Sequence, residues 1–574
     1  MELSRIVPFR GGYRSPSGPA VLRTFSTFVS DLWVLRFWPL PTLCRPPIDL
    51  SQECEYTTNA RQSYLQTLYS IFTSWLALLV ALSASVVFAG LFYFHIKTGY
   101  FDDTFIYLHM AWNAVNLGTL RYFPTVSSSS ALLASSPLHM FVLVVAALLA
   151  KAFGYSAPTL FWARLVLYLG GIITPVLFLP FFRSRLKFYV LIITVYFLLS
   201  CTYSTVFEFE GGLLYFWVVA LMLSFPKRTT NLSFAALLPL GVLIRPDMAL
   251  VPYVGLLASE LLRDRRSLWR WASRALMFGA GYGVLWSCLA VGFGVYPIPI
   301  SWWTKASVIF LFSSQSLLQV FATSLGQVWA SPFLPSDIAG WSLVLLAVFA
   351  LAPTSRRARV GWIVAGLVAV YMFSRMPSNF WWYYQNIVVM LVAIGLGAMY
   401  ARQGVLLRSH FAITAFTVVL LGVSLYTNFL KNPPLPWDFA VTSRAQTYEY
   451  LGAQAQPNGT YILPKLGRVI IRNPEIGMIA YFGGRNGWMW DVAGLAQPLP
   501  GMMSSSLRFF YPTSLRHPAA SFASQLARRT HAKVVDVWAM GSGSPAAFQG
   551  ARKACNVVIP KGFLCVNYVP PSQW

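Results

Sequence analysis

Two adjacent carboxylates, Asp102 and Asp103, stand in Gly99-Tyr-Phe-Asp-Asp-Thr-Phe-Ile-Tyr107, directly after an apolar run. A carboxylate held at the lip of a bilayer offers a general base for a hydroxyl nucleophile. Fixed cations follow along the chain: Arg245 in Leu243-Ile-Arg-Pro-Asp247, Lys305 in Pro299-Ile-Ser-Trp-Trp-Thr-Lys305, and Arg375. Guanidinium and ammonium groups beside a base would stabilise charge developing on an anionic leaving group such as a phosphate. Glu208, Glu210 and Arg121 join this set on the topology derived below. Glu210, followed by Gly211 and Gly212, either contacts substrate or pairs with Arg245.

Each residue also has a plainer reading. Asp102 or Asp103 caps a helix that runs to Leu117 and stops at Gly118. Arg245 snorkels from a span end, and Lys305 anchors at the interface between Trp302 and Trp303. Trp302, Trp303 and Phe380-Trp-Trp-Tyr-Tyr384 form an interfacial aromatic belt, or else stack on a substrate ring or lipid tail. His109 is carried as a substrate contact, against the plainer role of a hydrogen-bonded structural histidine that it shares with His95.

The elements that must position these groups follow from composition. Of 574 residues 56% are apolar and only 11% charged, too few charges for a soluble surface of that size. The net charge of +25 resides in short basic clusters between apolar stretches, a pattern that fits topology and excludes nucleic acid as partner. Apolar runs at 71–95, 158–182, 188–207, 211–226, 231–245, 247–262, 272–293, 337–352, 360–375, 384–400 and 411–430 predict about eleven transmembrane helices. Pro137–Ala150 is too short to cross and reads as an interfacial helix. With the N-terminus inside, the clusters Arg183/Arg185/Lys187, Lys227/Arg228, Arg263–Arg274, Arg356–Arg359 and Arg402/Arg408 then all fall in the cytoplasm.

The expected organisation is a partly disordered cytoplasmic segment at 1–70, a transmembrane domain at 71–430 with its first outer loop at 97–157, and an extracytoplasmic domain at 431–574. The first segment lacks a run that would serve as a signal peptide. In the last, Tyr461-Ile-Leu463, Val469-Ile-Ile471 and Lys533-Val-Val-Asp-Val-Trp538 predict strands of a small α/β module behind a stiff Pro-rich linker. Cys555 and Cys565 lie where a disulfide would persist; a pair of free thiols is the equal alternative.

Phe101-Asp-Asp-Thr-Phe-Ile106 and Ser135-Ser-Pro-Leu138 resemble the first loop of GT-C glycosyltransferases. Phe209-Glu-Gly-Gly-Leu-Leu214, Leu243–Asp247, Pro299–Lys305, Pro474–Gly484 and Asp491-Val-Ala-Gly-Leu495 continue the resemblance in order over some 400 residues. As a set they are most similar to polyprenyl-phosphate-sugar transferases of the arabinofuranosyltransferase type. The resemblance implies a GT-C-like polytopic α-helical fold in the inner (plasma) membrane, a lipid-linked sugar donor and a glycan or glycoconjugate acceptor. It also implies Asp102 or Asp103 as base, with Arg245 and Lys305 at the donor phosphate. Ile300 and Gly211-Gly212 depart from the pattern, which leaves the sugar open. No dedicated metal cage is visible, so transfer without a metal is expected, a divalent cation remaining open. The rival class is a polyprenyl-lipid transporter or flippase, which would more usually present paired halves and midplane charges.

Overall fold

The computed structural model describes residues 102–124, 131–132, 134–182, 186–202, 205–224, 232–261, 265–299, 389–390, 392–397, 436–473, 476–491, 519–541, 557–559 and 562–573, with single positions at 83, 364 and 386. All belong to one compact unit, Phe72–Trp574. Apart from single positions, the spans expected at 71–95, 337–352, 360–375 and 411–430 lie outside the described residues, as does the segment 1–70.

Helix α1 (Asp102–Leu117) begins at the acidic pair and ends where Gly118 takes a φ of +68°, a left-handed stop that glycine adopts without steric penalty. Helix α2 (Pro137–Ala152) has Pro137 in its first turn and Ser136 as N-cap, whose hydroxyl accepts from His139 N–H at 3.3 Å. Its 16 residues measure about 24 Å, short of a hydrocarbon core of about 30 Å. The two helices lie side by side and parallel. Tyr107 meets Ser135 at their N-terminal ends, while Lys151 Nζ donates to Val115 O at 2.9 Å and Trp112 Nε1 to Ser156 O at 2.7 Å at the other.

Six further helices follow: α3 (Leu160–Phe182), α4 (Leu186–Thr202), the single turn α5 (Thr205–Glu208), α6 (Gly211–Ser224), α7 (Leu232–Ile244) and α8 (Pro246–Leu261). Then comes α9 (Arg265–Gly292). Among the described residues, Leu160–Phe182 and Trp269–Gly292 are long and apolar enough to cross a membrane. Trp269, Leu276, Met277, Val284 and Val291 on α9 are all exposed, an apolar surface that water would disfavour. Inside α3, Pro175 has no N–H for the Gly171 carbonyl; the Tyr196 hydroxyl from α4 donates to that carbonyl at 3.0 Å instead. Gly212 admits the same Tyr196 closely, since an added Cβ would stand 2.8 Å from its ring. The start of α6 is thereby held level with Gly171, about 17 Å along α3 from its N-terminus.

After α9, the chain returns to the first loop. Thr119 Oγ1 donates to Phe293 O at 2.9 Å and Arg121 Nε to Gly294 O at 3.1 Å. The short strand β1 (Ala131–Leu132) then pairs in parallel with β2 (Tyr296–Pro299).

The C-terminal segment opens with α10 (Pro436–Ala453) and builds a mixed sheet from β3 (Tyr461–Leu463), β4 (Gly467–Asn473), β5 (Trp490–Asp491), β6 (Lys533–Gly541), β7 (Val557–Ile559) and β8 (Gly562–Tyr568). The order is β3-β4-β6-β8-β7, with β5 paired to β4. The three apolar runs noted in the sequence are β3, β4 and β6. Cys565 on β8 is disulfide-bonded, while Cys555 lies outside the described residues. Helix α12 (Ala519–Thr530) leads into β6, and α11 (Ile476–Gly483) follows β4.

Helix α11 fastens this segment to the first loop. Tyr122 OH donates to Ile476 O and Tyr481 OH to Thr159 O, each at 2.8 Å. Phe105 packs against Tyr481 and Phe482 with ring centroids 5.2 and 5.4 Å apart. The approach of α10 to α11 requires Gly452, where a Cβ would stand 2.5 Å from the Phe482 carbonyl carbon and 2.6 Å from Gly483 N. Gly452→Ala is therefore expected to lower stability by about 1–3 kcal/mol, read as an earlier thermal unfolding midpoint of the detergent-solubilised protein; an unchanged midpoint would contradict the packing described.

Candidate functional site

Five segments distant in sequence meet where α1, α2, α6, α7 and α8 have their ends. Pro246 starts α8, so Arg245 occupies the break after α7, its N–H bonded to Gly241 O and its carbonyl to Ala249 N. The Arg245 guanidinium is paired with Glu210, at the head of α6, and both side chains are almost fully buried, 3% and 1% exposed. Its Nε also donates to both carboxylate oxygens of Asp247, at 3.1 and 3.2 Å. Asp247 sits in the first turn of α8, where the helix dipole favours an acid. Of the two readings open for Glu210, the ion pair is present, and it bears directly on how freely Arg245 can meet a ligand.

Helix α1 closes the cluster. Thr104 Oγ1 donates to Glu208 Oε2 at 3.4 Å. The Tyr107 hydroxyl lies 2.8 Å from Ser135 Oγ and accepts from Ser136 N–H at 3.1 Å. Burial pushes the Tyr107 phenol up to about 12. Ser136 ties the same place to α7, its hydroxyl 3.5 Å from Leu243 O. His139 packs edge-on against Tyr107, ring centroids 5.1 Å apart, and hydrogen-bonds the Glu208 backbone. Its Nε2 is buried with no hydrogen-bond partner, and burial drives the imidazole down to about 4.

Of the residues singled out in the sequence, Glu210 and Arg245 thus pair, and Asp102 and Asp103 stand at the start of α1, which Thr104 joins to Glu208. Glu208 is part of the cluster as well, whereas Arg121 lies beyond the other end of α1, on the Gly294 carbonyl. His109 is elsewhere on α1: its Nε2 donates to Tyr122 O at 2.8 Å, its ring packs edge-on to Tyr122, and burial lowers it to about 4. Lys305, Trp302, Trp303 and Arg375 lie outside the described residues. Tyr107, Ser135 and His139 were not singled out as reactive or binding groups. A histidine two residues after a helix-starting proline in an otherwise apolar stretch was the available signal.

Among the described residues Arg245 is met by two carboxylates, Glu210 and Asp247, so the contact carries an excess of negative charge. No group of three His, Cys, Asp or Glu among the described residues is arranged to hold a metal ion.

No family model matches the chain, and no curated protein matches it. One similar solved structure is ArnT from Cupriavidus metallidurans in the apo state, 16% identical, covering 88% of this chain and 99% of its own, with a TM-score of 0.44. A likeness of that degree assigns no role to any residue.

Two outcomes follow from this geometry. Arg245→Met leaves the Glu210 charge buried without its partner, an expected loss of about 3–5 kcal/mol; Glu210→Gln in the same chain should recover most of it, measured by denaturant unfolding. A histidine depressed from 6.5 to about 4 is neutral in the native state. The unfolded chain then binds more protons between those values, so stability falls as pH drops from about 6.5 to about 4 and levels off below. His139→Asn should make that slope shallower by about one proton, and an identical slope would contradict the burial of the neutral ring.

Proposed function

We propose that this chain is a multi-pass GT-C-type glycosyltransferase of the inner membrane, with its N-terminus cytoplasmic and the segment 431–574 extracytoplasmic. It transfers a sugar, arabinofuranose in our reading, from a polyprenyl-phosphate donor to a glycan or glycoconjugate acceptor. The observation that carries the proposal is the buried Arg245–Glu210 pair next to the start of α1, which bears Asp102 and Asp103 and is joined to Glu208 through Thr104, at helix ends that the basic clusters assign to the outer side. A transporter reading has no such specific observation behind it.

In this mechanism Asp102 or Asp103 takes the proton of the acceptor hydroxyl as its oxygen attacks the anomeric carbon. The bond from that carbon to the donor phosphate breaks in the same displacement, the configuration inverts, and the polyprenyl phosphate leaves with the electron pair. No covalent enzyme intermediate and no metal is invoked.

Arg245 is already engaged by Glu210 and Asp247, and two carboxylates on one guanidinium leave it no net positive charge with which to attract an anionic donor. The phosphate therefore falls chiefly to Lys305 and Arg375. Lys305 is six residues beyond Pro299, a reach of at most about 20 Å from the β1–β2 pair that adjoins Ser135. Arg245 acts mainly by fixing Glu210. Trp302 and Trp303 supply apolar surface for the sugar or the isoprenoid chain.

The test uses membranes supplied with a lipid-linked pentose. Asp102→Asn and Asp103→Asn are made separately, and one of them is expected to reduce transfer about 10²–10⁴-fold with expression unchanged. Lys305→Met should lower turnover about 10²-fold. Full activity in both aspartate variants, or movement of labelled lipid without sugar transfer, would overturn the assignment.

A further inference from the structure

The segment 431–574 contains fourteen Lys and Arg against five Asp and Glu. Much of that excess is gathered at one end of its sheet. β4 and β6 run in parallel, with Val469 opposite Lys533, so Arg468 and Lys533 stand at the same end of neighbouring strands and project from the two faces of the sheet around that end. Lys465 lies in the turn between β3 and β4, with a φ of +63°. Arg528 and Arg529 fill the last turn of α12, and His531, with a φ of +52°, leads from there into β6. All six side chains are exposed.

Two of the five carboxylates of the segment are engaged elsewhere. Asp491 is fully buried. Asp536 is closed by Arg472 in a two-point contact at 2.6 and 2.7 Å. The side chain of Arg528 bonds Ser524 at 3.0 Å, and no ion pair among the described residues involves Lys465, Arg468, Arg529 or Lys533. A basic last turn complements the dipole of α12, but that effect does not extend to Lys465, Arg468 or Lys533 on the sheet and its turn.

We infer that this basic end is a docking surface for an anionic glycan, a chain bearing phosphate or carboxylate groups. Its position argues against the protein's own bilayer as occupant. β4 carries the chain from Arg468 to Asn473 and on to α11, which packs against α1, so the patch lies about 17 Å along the strand from the docked end. Clustered, unpaired guanidinium groups suit multiple charged acceptor oxygens spaced along a flexible polymer, and their attraction is long-ranged at low salt. The inference rests on the reading above for its compartment and for calling the glycan an acceptor.

The test measures binding of fluorescent dextran sulfate and of neutral dextran to the full-length protein in phosphatidylcholine nanodiscs. Dextran sulfate should bind and weaken with salt, and neutral dextran should not bind. R468Q/R528Q/R529Q/K533Q should weaken binding at least tenfold, whereas R468K/R528K/R529K and the four-charge control R263Q/R265Q/R266Q/R270Q should stay within about twofold of the parent. Unchanged binding in the first variant, equal loss in the control or the lysine variant, or equal binding of neutral dextran would overturn the inference. Because no sugar is transferred in this assay, Asp103→Asn protein serves equally well. Retained binding with no transfer activity in the parent would sink the transferase reading and leave this one standing.

Discussion

A buried guanidinium holds the helix ends together. Arg245 sits at a proline-enforced break between two helices, and its burial is tolerable only because Glu210 and Asp247 face it. Glu210 can reach it only if α6 begins at the right height, and that height is set by Tyr196. The same tyrosine hydroxyl satisfies the carbonyl left open by Pro175 and packs where Gly212 lacks a side chain. A proline in one helix, a tyrosine in the next and a glycine in a third thus fix the position of one ion pair.

Around that pair, neutral hydrogen bonds connect what the charges do not. Tyr107, Ser135, Ser136 and His139 link α1 to α2, and through Leu243 and Glu208 they reach α7 and the turn before α6. These groups stay uncharged across the physiological range, because burial raises the phenol and lowers the imidazole. The acids and the guanidinium are thereby embedded in a lattice that adds no charge of its own. A reacting group placed there would meet the same electrostatic surroundings over a wide span of pH.

Much of the helical plan was legible in the sequence. Gly118 marked the end of α1, and Ser136 with Pro137 marked the start of α2. The apolar runs at 158–182, 211–226 and 231–245 recur as α3, α6 and α7 within a few residues, but α6 and α7, at 14 and 13 residues, are shorter than the crossings expected there. Strands β3, β4 and β6 were visible as β-branched runs between turn residues. The pairing of Glu210 with Arg245 was one of two readings. What could not be read were contacts carried by residues whose types suggest nothing but packing. Tyr107 in an apolar helix looks like core until Ser135 is placed beside it, 28 residues later. The two-residue strand β1 has no period, and only its partner at 296–299 defines it. Thr104 and Glu208 are 104 residues apart, a separation that periodicity cannot bridge.

The clasp between Tyr122 and Ile476 has a temporal meaning. These residues are 354 positions apart, and a ribosome adding about 5–20 residues per second needs on the order of half a minute to connect them. Throughout that interval Phe105 and Tyr122 have been made but the aromatic and carbonyl groups that cover them have not. The nascent first loop must wait with its apolar face open, sheltered by lipid or by an insertion factor, until the last quarter of the polypeptide emerges and completes it.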